Sequence, residues 1–209
     1  MTSERRPAHF SMIREFHLAD WITLSNAACG TGAIFVVMRH LQAPADVSLL
    51  WVAGLIALAF VCDELDGRVA RHRHEHSPLG RELDSLSDVI SFGVAPAALA
   101  YGVGMQGLWD VVVLLCFVAC GVSRLARYNV TAEKLSAGGA KPKYYEGTPI
   151  PSSLLLVGVL ALAAHRGRVG ESLWGGSFRL GPGALHPLVL MFAVSGSLMI
   201  SKTIRIPKL

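Results

Sequence analysis

Long apolar runs separated by short polar ones set the pattern of this chain. Six segments contain no Asp, Glu, Lys or Arg: Trp21–Met38, Val47–Cys62, Val89–Trp109, Val111–Ser123, Thr148–Ala164 and Ala184–Ser201. Several approach the ~20 residues an α-helix needs to cross a bilayer, and flanking residues that face protein or headgroups extend the shorter ones. The pattern predicts an all-α integral membrane protein: six transmembrane helices in one domain over residues 19–209. Residues 1–18 form a separate cytoplasmic segment, disordered over 1–8. From His9 to Leu18, Phe10, Met12, Ile13, Phe16 and Leu18 alternate with Arg14, Glu15 and His17. That spacing fits a short amphipathic helix on the membrane surface, and it fits equally an apolar leader to the first span.

Composition agrees. Of 209 residues, 52% are hydrophobic and 16% charged, whereas soluble domains carry about a quarter charged residues. Basic residues are retained on the cytoplasmic side of membranes. With six spans and both termini inside, the inner segments hold fifteen of the nineteen Lys and Arg residues, leaving Arg39, Arg166, Arg168 and Arg179 outside. The protein is therefore expected in the cytoplasmic membrane, multi-pass, with membrane lipids as its surroundings. Its net charge of +4 is a topological signal and no argument for nucleic acid. Cys29, Cys62, Cys116 and Cys120 fall in or beside spans and match no zinc spacing, so they read as small packing residues without a disulfide. The start M-T-S-E-R-R lacks the apolar stretch of a cleavable signal peptide.

Against this background the stretch Asp63–Asp88 stands out. It holds seven of the fifteen acidic residues, between two uncharged runs. Carboxylates at the edge of a membrane are costly and point to function. Asp63 and Asp66 are three apart and Asp84 and Asp88 four apart, so each pair shares one helix face. Ser77 and Pro78 read as a helix start. The two helices then form a hairpin that brings both pairs together at the cytoplasmic boundary, with Pro96 bending the second helix above them. Four carboxylates so placed need positive charge, and two hard divalent cations, Mg²⁺ or Mn²⁺, suit an all-oxygen ligand set better than zinc. Gly67, Ala70 and Gly80 are small enough to let a bulky phosphate-bearing ligand approach the backbone.

The residues D-x-x-D-G-x-x-A-R, eight positions, then G-x-x-x-D-x-x-x-D resemble the signature of the CDP-alcohol phosphotransferases. Asp63, Asp66, Gly67, Ala70, Arg71, Gly80, Asp84 and Asp88 fill every fixed position. The resemblance implies transfer of a phosphatidyl group from a CDP-linked lipid to an alcohol, with release of CMP. It also implies the site roles. Asp63, Asp66 and Asp84 ligate one metal, Asp84 and Asp88 help hold a second, and Asp88 is the general base. Gly67, Ala70, Arg71 and Gly80 bind the CDP-lipid. Asn26, in T-L-S-N-A-A-C-G, resembles the family's first-helix segment near the nucleotide. The run L-D-S-L-S-D-V-I-S-F-G-V-A-P, and R-L-A-R-Y-N followed by Y-Y-E-G-T-P-I-P, resemble the phosphatidylserine synthase branch. That branch implies CDP-diacylglycerol and L-serine as substrates, and the family often forms homodimers.

Residue chemistry leaves the acceptor more open. Arg124, Arg127 or Lys141 could receive the carboxylate of serine, yet glycerol phosphate or inositol phosphate would call for the same cations. Arg124 and Arg127 also read as positive-inside residues, as do Arg68, Arg73 and Arg81. The run His72–His76 reads as a solvated loop. Thr23, Ser25 and Asn26 fit either helix packing or the acidic site. A divalent-cation or solute transporter is the alternative class. Transporters place such residues near the bilayer midplane and commonly show inverted repeats, and neither feature is apparent here.

Overall fold

The computed structural model describes residues 16–73, 78–136, 144–201 and 205–207. Most of the proposed N-terminal amphipathic segment lies outside these residues, as do Ser77, His74, His76 and Lys141. Helix α1 spans Leu18–Gln42 and α2 spans Leu50–Arg73, joined by the loop 43–49. The start of α1 is capped by Asp20, whose Oδ2 accepts the backbone N–H of His17 at 2.8 Å. Arg39 and His40 sit in its last turn, where cations oppose the negative end of the helix dipole.

Helix α3 begins at Pro78 and runs to Asp88, continues through a π-helical segment over Val89–Val94, and ends as α4, Ala95–Val103. Pro96 explains the wide turns. It has no N–H, so the carbonyl four residues earlier loses its usual donor, and the ladder shifts by one: Ala95 N–H bonds to Ile90 O. The expected effect of this proline thus takes the form of a widened segment directly after Asp88, a feature common at functional sites.

Helix α5 (Leu108–Ser136) extends well beyond the uncharged run Val111–Ser123, and the A-E-K-L near its end is made of good helix formers. Strand β1 (Tyr144–Glu146) comes next. A 3₁₀ turn at Ile150–Ser153 then opens α6 (Leu154–His165). Strands β2 (Phe178–Leu180) and β3 (Gly183–Leu185), helix α7 (Leu190–Ile200) and strand β4 (Arg205–Pro207) complete the chain. The strands correct the purely α reading in detail. β1 pairs with β4 and β2 with β3, both antiparallel. They lie outside the helices, β1 to β3 in connections and β4 after α7, where backbone groups pair with each other. Three-residue strands are too short to leave an alternating signature.

Among the described residues, three helices are long and apolar enough to cross a membrane: Leu18–Gln42, Leu79–Val103 and Leu108–Thr131. Two shorter apolar helices cover Ile150–His165 and Pro187–Ile200. Helix α2 is 24 residues long, but its C-terminal part carries Asp63, Glu64, Asp66, Arg68 and Arg71. The protein is thus a mostly helical membrane protein. Its outward surface is rich in large apolar side chains, including Phe35, Trp51, Leu115 and Leu155, as expected of a chain whose solvent is lipid.

Lipid offers no hydrophobic drive between helices, so close packing holds them together. Helix α1 packs against α2, α3, the π segment and α4, while α5 packs on α7. The core contains Val52, Ile56, Phe92, Leu99 and Val103. Phe117 on α5 meets Phe192 on α7 edge-on at 5.1 Å. Among the glycines inside helices the tightest is Gly30 on α1: a Cβ there would lie 2.8 Å from Ser91 Cα and nearer still to Ser91 Oγ.

Candidate functional site

The N-terminal end of α1, the C-terminal end of α2 and the start of α3 meet at one end of the bundle. Three carboxylates converge there. One oxygen each of Asp63, Asp66 and Asp84 lies within 4.8 Å of the others. Helical spacing on α2 and α3 produces this: the two acids of α2 share a face, and the hairpin turns that face towards α3. Asp66 and Asp88 are buried, while Asp63 and Asp84 are half-buried.

Helix α1 adds two donors. Thr23 Oγ1 donates to Asp66 Oδ2 at 2.7 Å, and Asn26 Nδ2 reaches Asp88 Oδ1 at 3.5 Å. The register of α1 is fixed by the close approach of Gly30 to Ser91 and by Ser91 Oγ, which donates to Asn26 O at 3.0 Å. Asn26 is fully buried, and its Oδ1 has no partner. A buried amide oxygen left open in this way can accept a hydrogen bond from a ligand. Thr23 and Asn26 therefore both turn towards the acidic site, whereas Ser25 is exposed and bonds back to Trp21 O at 2.9 Å.

Electrostatics make the cluster demanding. Two ionised carboxylates no more than 4.8 Å apart repel by at least about 3.5 kcal/mol at an effective dielectric constant of ~20. Two of the neighbouring cations lie against other carboxylates: Arg68 Nε pairs with Glu64 at 3.2 Å and Arg81 Nε lies 3.8 Å from Glu82. A divalent cation would relieve the repulsion, and the geometry fits one. Around an octahedral Mg²⁺, adjacent ligand oxygens are about 3.0 Å apart and opposite ones about 4.2 Å, so the three carboxylates would draw in around the ion. The donors are all oxygen, the preference of hard cations.

The remaining predicted residues divide. Gly67 borders open space, since a Cβ there would meet only Arg71 Nη1, at 3.5 Å. Ala70 and Gly80 are half-buried and Arg71 is exposed. On α5, Arg124 is half-buried and Arg127 exposed. The same end of α5 is tied to α3 by a polar chain. Ser85 Oγ donates to Asn129 Oδ1 at 3.2 Å, and Asn129 Nδ2 donates to Glu82 Oε2 at 3.0 Å. Sequence reasoning missed Ser85, Asn129, Ser91 and the buried Asp20. Ser85 and Ser91 fall in the run L-D-S-L-S-D-V-I-S and Asn129 ends R-L-A-R-Y-N, but nothing in their spacing shows the contacts they make.

At the opposite end, Asp110 is fully buried at the start of α5. It accepts the N–H groups of Gly107 (3.0 Å) and His186 (2.7 Å), and its Oδ2 lies 2.7 Å from His186 Nδ1. Trp109 Nε1 donates to Leu180 O at 2.8 Å. These bonds pin the β2–β3 ribbon to α5, well apart in the fold from the acidic cluster.

Comparison with known proteins places this geometry. The model of the CDP-alcohol phosphatidyltransferase family matches residues 16–198. The chain is similar to the CDP-diacylglycerol–serine O-phosphatidyltransferase of Saccharomyces cerevisiae, 42% identical over 203 residues, covering 96% of this chain and 74% of that protein. It is 36% identical over 160 residues to the protein of the same name from Mycobacterium tuberculosis, covering 75% of this chain and 52% of the relative. An archaetidylserine synthase from Methanothermobacter thermautotrophicus is 38% identical over 143 residues, covering 67% and 55%. The chain thus spans about half the length of the latter two. With a family match over nearly its whole length and an acidic cluster built from the matched helices, the chain belongs to the CDP-alcohol phosphatidyltransferase family.

Proposed function

We propose that the protein transfers a phosphatidyl group from CDP-diacylglycerol to the hydroxyl of L-serine, giving phosphatidylserine and CMP. The observation that carries this reading is the convergence of Asp63, Asp66 and Asp84 within a chain whose relatives from yeast, bacteria and archaea are named for transfer to serine or for archaetidylserine synthesis. The lipid tail that the chain accepts is taken from the yeast and bacterial names.

Asp63, Asp66 and Asp84 would hold one divalent cation, Mg²⁺ or Mn²⁺, and Asp84 and Asp88 a second. Such ions neutralise the diphosphate and the charge that builds on it during transfer. The chain's own residues do the rest. Gly67, Ala70 and Gly80 leave room for the CDP headgroup, Arg71 lies beside its phosphates, and the open Oδ1 of Asn26 faces a donor on the nucleotide. Asp88 takes the proton from the serine hydroxyl as that oxygen bonds to the lipid-bearing phosphorus, and the bond from this phosphorus to the CMP oxygen breaks. Arg124, with Arg127 and Lys141, holds the serine carboxylate by charge-assisted hydrogen bonds. In the membrane the chain has six spans, with α2 and the two shorter helices joining the three long ones. The acidic end faces the cytoplasm together with both termini, and two copies associate.

The test is CMP release by purified protein given CDP-diacylglycerol, Mg²⁺ or Mn²⁺, and one alcohol at a time. Serine-dependent release that EDTA abolishes is expected. Release only with glycerol phosphate, inositol or inositol phosphate would refute serine as acceptor, and no release with any of them would refute the transferase reading.

A further inference from the structure

Helix α1 contributes none of the four carboxylates, yet its buried face is polar. Asp20, Thr23 and Asn26 recur every third residue and are all buried, while Trp21 beside them is half-exposed. Thr23 differs from the other helical hydroxyls. Ser25, Thr131 and Ser197 are exposed and bond to the carbonyl four residues back, at 2.8–2.9 Å. Thr23 has that carbonyl, Ala19 O, at 3.0 Å and a carboxylate oxygen nearer still, at 2.7 Å. A hydroxyl has a single proton, and the closer, charged acceptor is the stronger one.

A buried carboxylate needs such a partner. The last torsion of Asp is broad and roughly two-fold, so packing alone leaves the plane of the carboxylate loosely set. A hydrogen bond to one oxygen sets it. We infer that Thr23 is a positioning residue of the acidic site: its proton on Asp66 Oδ2 fixes the carboxylate plane so that Asp66 offers its remaining lone pairs to a cation shared with Asp63 and Asp84. The inference rests on the metal-dependent transfer proposed above. Its structural support is independent of any bound ion: the Thr23 bond is buried, bridges α1 and α2, and is held in register by the close approach of Gly30 to Ser91.

The test uses Mn²⁺ alone as the probe, bound by purified full-length protein and followed through the spectroscopic signal of the free ion. Thr23→Val removes the hydroxyl at nearly constant shape, Thr23→Ser retains it, and Thr23→Ala cannot overpack should the valine fail to fold. Partners that orient metal ligands typically contribute about 10–100-fold in affinity. Valine or alanine is therefore expected to weaken Mn²⁺ binding by at least about 10-fold, with serine staying close to wild type. In an Asp66→Ala background, Thr23→Val should change nothing further. Mn²⁺ affinity unchanged in the folded valine and alanine variants would overturn the inference, as would serine binding as poorly as valine, or an equal loss without Asp66. Failure of the wild-type protein to bind Mn²⁺ would instead bring down the metal reading itself, and this inference with it.

Discussion

Gly30→Ala probes the packing on which the register of α1 depends. A Cβ at this position would lie 2.8 Å from Ser91 Cα and nearer still to Ser91 Oγ, whereas carbon atoms rest about 3.5–4.0 Å apart. The hydroxyl could rotate away, but the backbone of Ser91 could not, so α1 and the π segment must separate by roughly 0.7–1.2 Å. That shift would stretch the bond from Ser91 to Asn26 O, now 3.0 Å, and the bond from Thr23 to Asp66, now 2.7 Å. Overpacking costs about 1–3 kcal/mol, and a lost hydrogen bond adds about 1 kcal/mol. Replacing glycine by alanine within a helix returns about 0.5–1 kcal/mol. The net expectation is a destabilisation of about 1–3 kcal/mol. A misplacement of this size near the chemistry can also lower turnover by about 10²-fold. Matched controls are Gly54→Ala in α2 and Gly158→Ala in α6, where an added Cβ meets nothing within 4 Å. Thermal unfolding in detergent and CMP release would be measured side by side. Ser91→Ala should not rescue the variant, because the clash with the backbone of residue 91 persists. If Gly30→Ala were as stable and active as the two controls, the close approach of α1 to the π segment would not govern the site.

Other consequences can be measured directly. Asp88→Asn removes the proposed base while keeping its shape, so CMP release should fall to background with binding of the CDP-lipid still detectable; substantial remaining turnover would reassign the base. Arg124→Lys keeps the charge but loses the two-pronged geometry, and should raise the KM for serine more than it lowers kcat; an unchanged KM would remove Arg124 from the acceptor site. Asp110→Ala leaves the N–H groups of Gly107 and His186 without their acceptor. Leaving a buried donor unsatisfied costs about 1–3 kcal/mol. The unfolding midpoint should drop sharply while Mn²⁺ affinity of the folded fraction stays the same, and an unshifted midpoint would show that the β2–β3 ribbon is held by other interactions.

Much of the site could be read from sequence because its logic is local. Asp63 with Asp66, and Asp84 with Asp88, sit at helical spacings on two segments close together in sequence, and a helix hairpin forces such pairs together whatever the rest of the fold does. The membrane character was equally legible, since uncharged runs of such length have few other uses. Other features arise from residues distant along the chain, and only the tertiary structure decided them. Thr23 and Asp66 are 43 residues apart, Asn26 and Asp88 are 62 apart, and Asp110 and His186 are 76 apart. No periodicity links such positions. Their meeting depends on how closely two helix backbones can approach, which a glycine at 30 and a proline-widened turn after Asp88 set jointly. The sequence by itself determined which residues carry the acidic chemistry and that they share one end of a helical membrane protein. The tertiary structure decided which neutral side chains orient them, because a helix neighbour is chosen by shape and distance of approach, and neither is written in local spacing.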